Sequence, residues 1–197
     1  MSVLPPPVRV AGPADRPAVV ATVVAAFAAD PAWRYFVQDR YDALSPLFAG
    51  ALFDKRVGNG TVWMTADATS VAMWDAPGHP TPEALTVAWA PFEEAASAQD
   101  LARLGAYDEG CAQVAPRGPY WYLGVLATHP SAQGRGGATA VLGAGLARAD
   151  ADGLPACLET STEANRDYYG RRGFTEAVEV PVPQAPPTWW LTRPPRS

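Results

Sequence analysis

Cysteine is scarce in this 197-residue chain: Cys111 and Cys157 are its whole complement. Two distant thiols make neither a disulfide framework nor a zinc pattern, and they fit a reducing cytosol. Histidine is equally rare, with His79 and His129, so no metal site is expected. Charge is thin as well. Charged residues make up 18% of the chain and the formal net charge is −5. That acidic balance argues against nucleic acid or an anionic membrane as a partner. No apolar run reaches the length of a membrane span. The first ten residues, MSVLPPPVRV, lack the basic-then-apolar plan of a secretory leader, so a cytoplasmic protein is expected. There is no fixed-period repeat, and the low-complexity content is Pro5-Pro6-Pro7.

Apolar material is plentiful. Hydrophobic residues are 48% of the chain, including 7 Trp, 7 Tyr and 6 Phe, and 17 Gly with 21 Pro announce many turns. The length suits one domain over residues 1–197 with a core that needs no staples. Val8 to Val10 reads as a short strand, and Ala18 to Phe27 as a helix with Val19, Val23, Ala26 and Phe27 on one stripe. Asp30-Pro31 is expected to stop that helix. Asp42 to Lys55 is helical, with Leu44, Leu47, Phe48 and Leu52 as its apolar face. Thr61–Thr65 and Ser70–Trp74 read as a hairpin. Residues 82–113 look helical, with a break near Pro91.

Tyr120 to Thr128 (YWYLGVLAT) has the character of a strand buried on both faces. A helix through Ala138, Val141, Leu142, Leu146 and Ala149 follows it, then a strand at Ala156–Thr160 and a helix over Glu163–Arg172. Thr160 and Glu163 have capping-box spacing, and Gly173 stands where a helix ends on glycine. Strands at Phe174–Val182 and Thr188–Thr192 close the chain. The alternation implies an α/β sheet with antiparallel strands at its ends.

Between the long strand and the next helix lies Gln133-Gly134-Arg135-Gly136-Gly137-Ala138. Small residues there let a ligand approach the backbone, and the free amides of the helix N-terminus suit a phosphate. A flexible turn with no ligand would read the same way. The spacing matches neither a Walker A loop nor the Rossmann fingerprint.

Preceded by Leu126-Ala127-Thr128, this loop resembles the acetyl-CoA signature of the GNAT N-acetyltransferases. Asn165, Tyr168, Tyr169, Gly173 and Phe174 resemble the family's second motif. Further stretches, AAFAADPA, VAMW, PACLETS and TWWLTRPP, resemble the puromycin-acetylating branch of that family. The resemblance implies an α/β GNAT fold: a mixed, mostly antiparallel sheet of six to seven strands, a splayed central strand and flanking helices. It implies acetyl-CoA as co-substrate. The cofactor would be held by Leu126, Ala127 and Thr128, by the loop from Gln133, Gly134, Arg135, Gly136, Gly137, Ala138 to Thr139, and by Asn165 and Tyr169.

The same resemblance implies Leu126 N–H as oxyanion donor and Tyr169 as general acid, with Tyr168 left to packing. Many members carry a glutamate eleven residues before the loop glutamine, where this chain has Tyr122. Glu159 is the nearest strand carboxylate, either a base or a paired carboxylate at a strand end; a water chain could also take the amine proton. For the acceptor, Phe27, Trp33, Trp74, Tyr120 and Tyr122 are the candidate aromatics, and Asp30, Asp75, Glu93 and Glu94 the acids that could attract a cationic amine. The expected acceptor is a small primary amine, puromycin or a related aminonucleoside antibiotic, handled by a monomer or homodimer. The alternatives are another amine, such as a polyamine or amino acid, and an idle acyl-CoA sensor.

Overall fold

The computed structural model describes residues 6–196; the leader reading and the proline run fall partly on the first five residues, outside the described ones. Seven strands form one sheet: β1 (Val8–Val10), β2 (Val62–Thr65), β3 (Ser70–Asp75), β4 (Trp121–Thr128), β5 (Ala156–Thr160), β6 (Glu176–Glu179) and β7 (Trp189–Arg193). Their spatial order is β1-β2-β3-β4-β5-β7-β6. Neighbours run antiparallel except β4 and β5, which are parallel. This is the mixed, mostly antiparallel sheet expected from the sequence.

Helices α1 (Arg16–Phe27), α2 (Pro31–Val37), α3 (Tyr41–Val57), α4 (Pro82–Ala95) and α5 (Ala98–Val114) cover one face. Helices α6 (Gly137–Ala151) and α7 (Glu163–Gly170) cover the other. β3 is buried on both faces as a result: Val71 and Met73 join the α1–α5 core, Ala72 and Trp74 the α6–α7 core.

Several expectations are corrected. Asp30-Pro31 does not merely stop α1. The Asp30 side chain accepts from Trp33 N at 3.0 Å and Pro31 takes the first position of α2, an N-cap and a proline where a helix starts best. Pro91 sits inside α4, and the break comes at Ala96, where an extended residue precedes the Ser97–Asp100 capping box that opens α5. The cap of α7 is Thr162, not Thr160, which belongs to β5. The strand expected from Phe174 shortens to four exposed residues, because β6 is an edge strand paired with β7.

The largest correction concerns β4. Its side chains alternate: Trp121, Leu123, Val125 and Ala127 are buried, while Tyr122, Gly124, Leu126 and Thr128 are half-buried. Register explains it. Trp74 pairs with Leu123 but Met73 with Val125, so Gly124 is an extra residue on β4, a β-bulge. Across the bulge the buried side chains change face: Trp121 and Leu123 pack under α6, Val125 and Ala127 under the helices of the other face. β4 meets β5 in register at Trp121↔Ala156 and Tyr122↔Cys157, and past Tyr122 the two strands part.

Candidate active site

The bulge and the splay together give β4 two open sides. On the α6–α7 face, Leu126 and Thr128 line a cleft of about 520 Å³ with Gln133, the loop glycines, Ala138 and Thr139. Gly134 (φ 76°) and Gly136 (φ 83°) adopt the left-handed backbone that favours glycine. Gly136 is the N-cap of α6, whose first turn takes no side-chain cap among the described residues. Its amides are thus available at a positive helix end, and the donor set fits a diphosphate. Gly137 lies so close to Ser70 that a Cβ there would overlap the serine hydroxyl.

Asn165 and Tyr169 line the same cleft. Ala127 and Arg135 do not. Ala127 turns into the opposite core, and Arg135 is exposed to solvent. Tyr168, expected to be mere packing, faces the cleft together with Arg172. The Arg172 guanidinium lies 3.4 Å from the Tyr168 ring centroid and donates to Thr139 Oγ1 at 2.9 Å.

On the α1–α5 face a second cleft, of about 390 Å³, is walled by Trp33, Phe36, Phe48, Trp89 and Phe92. Edge-to-face contacts fix these rings, with centroids 4.8 Å apart for Trp33 and Phe48 and 5.6 Å for Trp89 and Phe92. Its polar floor is Lys55, Arg56, Asp108, Tyr122 and Glu159. A small passage of about 80 Å³ lies between the two where β4 and β5 part, sharing Trp33, Gly124 and Glu159 with the second cleft and Leu126, Asn165 and Tyr169 with the first. Trp33 and Tyr122 line the second cleft, and Phe27 stacks on Trp33 at 4.7 Å beside the passage. Trp74 does not reach a cleft. It is fully buried under α6, where Gly145 makes room for its indole. Tyr120 is also displaced, packing edge-on against Trp190 beside a shallow cavity at Pro77 and His79.

Burial dominates the electrostatics. It pushes Glu159 up to about 7 while Tyr122 Oη donates to its carboxylate at 2.6 Å. It raises Tyr169 well above the ordinary phenol and Asp108 to about 6, the latter opposed by Lys55. Lys55 falls to about 8, through burial first and then Arg56 beside it. Of the expected ammonium-attracting acids, Asp75 is already paired with Arg56 and Lys55, and Asp30 caps α2. Glu93 borders the cleft, and Glu94 faces solvent outside its lining. His129 caps its own turn through Ser131 N.

Arg56, Asp108, Tyr107 and Arg172 escaped the sequence reading. A signal existed for two of them. Arg56 continues the stripe Leu44, Phe48, Leu52 at spacing four, and Asp108 continues Leu101 and Leu104. A charge on an apolar stripe is a buried charge, and buried charges have partners.

A model of the acetyltransferase (GNAT) family matches residues 68–174. The structure is similar to the crystal structure of a histone acetyltransferase HPA2 and related acetyltransferase from Corynebacterium glutamicum, at 26% identity and TM-score 0.69, covering 98% of each chain. It also resembles the Drosophila melanogaster polyamine N-acetyltransferase described as forming N-acetylagmatine, at 11% identity and TM-score 0.66, over 95% of this chain and 99% of that one. The apo form of an agmatine N-acetyltransferase point mutant aligns at 12% identity and TM-score 0.62, over 94% and 97%. At those two identities the likeness speaks for the fold.

Proposed function

This chain belongs to the acetyltransferase (GNAT) family, and from that membership we propose that it acetylates the primary amine of a small molecule with acetyl-CoA in one direct step. The carrying observation is the passage between β4 and β5, bordered at once by Leu126, Glu159 and Tyr169 and sharing lining residues with the cleft on each face. Acetyl-CoA supplies an activated thioester. The amides of α6 and Gly134 to Thr139 would hold its diphosphate, and the unpaired edge of β4 its extended arm.

The orientation of Leu126 follows from the strand. His129 N donates to Thr69 O at 2.8 Å, toward β3. Alternation along β4 then turns the Ala127 amide toward β3 and the Leu126 amide toward the open side. A fixed amide there is a donor for developing negative charge on an acyl oxygen. Glu159, raised to about 7, is suited to take the ammonium proton near neutrality, and the Tyr169 hydroxyl, kept protonated by burial, to deliver one to the leaving thiolate.

The aromatic wall supports an acceptor with a ring as well as an amine, with puromycin or a related aminonucleoside antibiotic as the specific candidate. A polyamine or another amine is the rival, favoured by the names of two structural relatives. An idle acyl-CoA sensor would not need Glu159 and Tyr169 at the passage. The reading takes residues 1–197 as one acetyltransferase domain at work in the cytoplasm. No described helix is long and apolar enough to cross a membrane. A panel of amines including puromycin and agmatine, followed by thiol release and by mass of the product, tests all three. Acetyl-puromycin is expected. Turnover of another amine alone overturns the acceptor, and cofactor binding without turnover overturns the enzyme.

A further inference from the structure

Arg56 stands near the end of α3 with 1% of its surface exposed. Its Nε and Nη2 donate to the two oxygens of Asp75, each at 2.7 Å, and its Nη1 to Leu52 O at 3.0 Å. Lys55 Nζ adds a contact to Asp75 at 3.2 Å. The guanidinium lies against Gly124, where an added Cβ would overlap Nη2 and Cζ. Asp75 pairs with Tyr122 on one side of the bulge, and Gly124 is the bulge. One side chain therefore ties α3 to both strands at the place where their register changes.

A buried ion pair is a poor source of stability, since an apolar residue of similar volume often does as well. What Arg56 supplies is shape and direction. If the bulge were lost, or moved along β4 beyond Leu126, the residues in between would shift by one position, which reverses their side chains and amides. Leu126 would then point its amide at β3 and its side chain into the wrong core. We infer that Arg56 is a positioning residue: wedged between Asp75 and Gly124, it holds the β4 bulge in the register that turns the Leu126 N–H into the passage. The inference rests on the reading of that amide as the acyl-oxygen donor. Without the bulge, the two clefts would no longer open on opposite faces of one strand.

The test follows two backbone amides by NMR while acetyl-CoA alone is titrated in, with amine turnover measured separately. Leu126 reports the acyl end and Gly137 the diphosphate end. The double variant R56M/D75N removes both charges of the Arg56–Asp75 pair, and the amide placed at position 75 still offers an oxygen to Lys55 Nζ. It is expected to keep the Gly137 response and lose the Leu126 response. Its kcat should fall roughly 10–100-fold, the effect of an ångström-scale misplacement, with KM for acetyl-CoA within about threefold of the parent. Retention of both responses and of kcat overturns the inference. If the double variant does not bind acetyl-CoA, Gly124→Ala decides by the same pair of amides, because it keeps both charged side chains and displaces the guanidinium. If the parent chain binds acetyl-CoA but acetylates no amine, the acetyl-transfer reading fails, and the two amides still decide whether Arg56 sets the direction of Leu126.

Discussion

At the scale of single residues the site is two protons held in different environments. Tyr169 keeps its proton because burial disfavours the phenolate. Tyr169→Phe retains the ring packing on Phe174, 5.6 Å between centroids, and removes the hydroxyl alone. CoA binding by calorimetry should persist while kcat falls roughly 10²–10⁴-fold, the usual worth of general acid catalysis. Glu159 gives the complementary pH dependence. The group must be ionised to act as a base, so kcat/KM should climb as pH rises through about 7, and Glu159→Gln should lose activity and that limb with it. Stability runs the other way. The folded carboxyl binds its proton up to about 7 against an ordinary 4.5, so its favourable contribution is complete below 4.5 and is lost as pH rises to about 7. In thermal melts Glu159→Gln should therefore be more stable than the parent above pH 7 and lose that advantage in acid. Equal melting differences at both ends would remove the buried-acid account of Glu159.

At the scale of elements, the loop into α6 carries a prediction of its own. Gly136 caps the helix at φ 83°, where a β-branched residue is strained and its side chain would stand among the free amides. Gly136→Val should raise the dissociation constant for CoA by roughly tenfold or more, about 1.4 kcal/mol, in a calorimetric titration; unchanged affinity would take the diphosphate away from this loop. The elements legible in the sequence were those whose periodicity and punctuation agree. α3 shows its stripe, the β2–β3 hairpin its turn, and the α6 loop its glycines. The misreadings have local causes. Asp30-Pro31 stops one helix and starts the next with the same two residues, and Pro91 is tolerated on an exposed part of α4. The β4 bulge was invisible because Gly124 in an apolar run looks like any strand glycine, and only pairing with β3 reveals the extra residue. Trp74 was misassigned for the same reason: the face a strand residue takes depends on a register that the partner strand sets.

At the scale of the whole molecule, the proposed direct transfer rests on where the clefts lie. One opens under α6 and α7, the other under α1 to α5, and the small passage at the splay shares lining residues with both. Neither cysteine lines either cleft or the passage. Cys157 is buried beside Thr192 with its thiol pushed up to about 11, and burial also raises Cys111. A thiol so protonated and so placed is a poor nucleophile, which argues against a cysteine carrying the acetyl between two half-reactions. The proposed direct transfer would have both substrates present together, one on each side of the sheet. Initial rates measured against both concentrations should give intersecting double-reciprocal lines. Cys111→Ala and Cys157→Ala should each keep kcat within about twofold, since only packing is touched. Parallel lines, together with an acetylated protein mass in the absence of amine, would instead require a covalent carrier and would overturn the direct-transfer reading of this architecture.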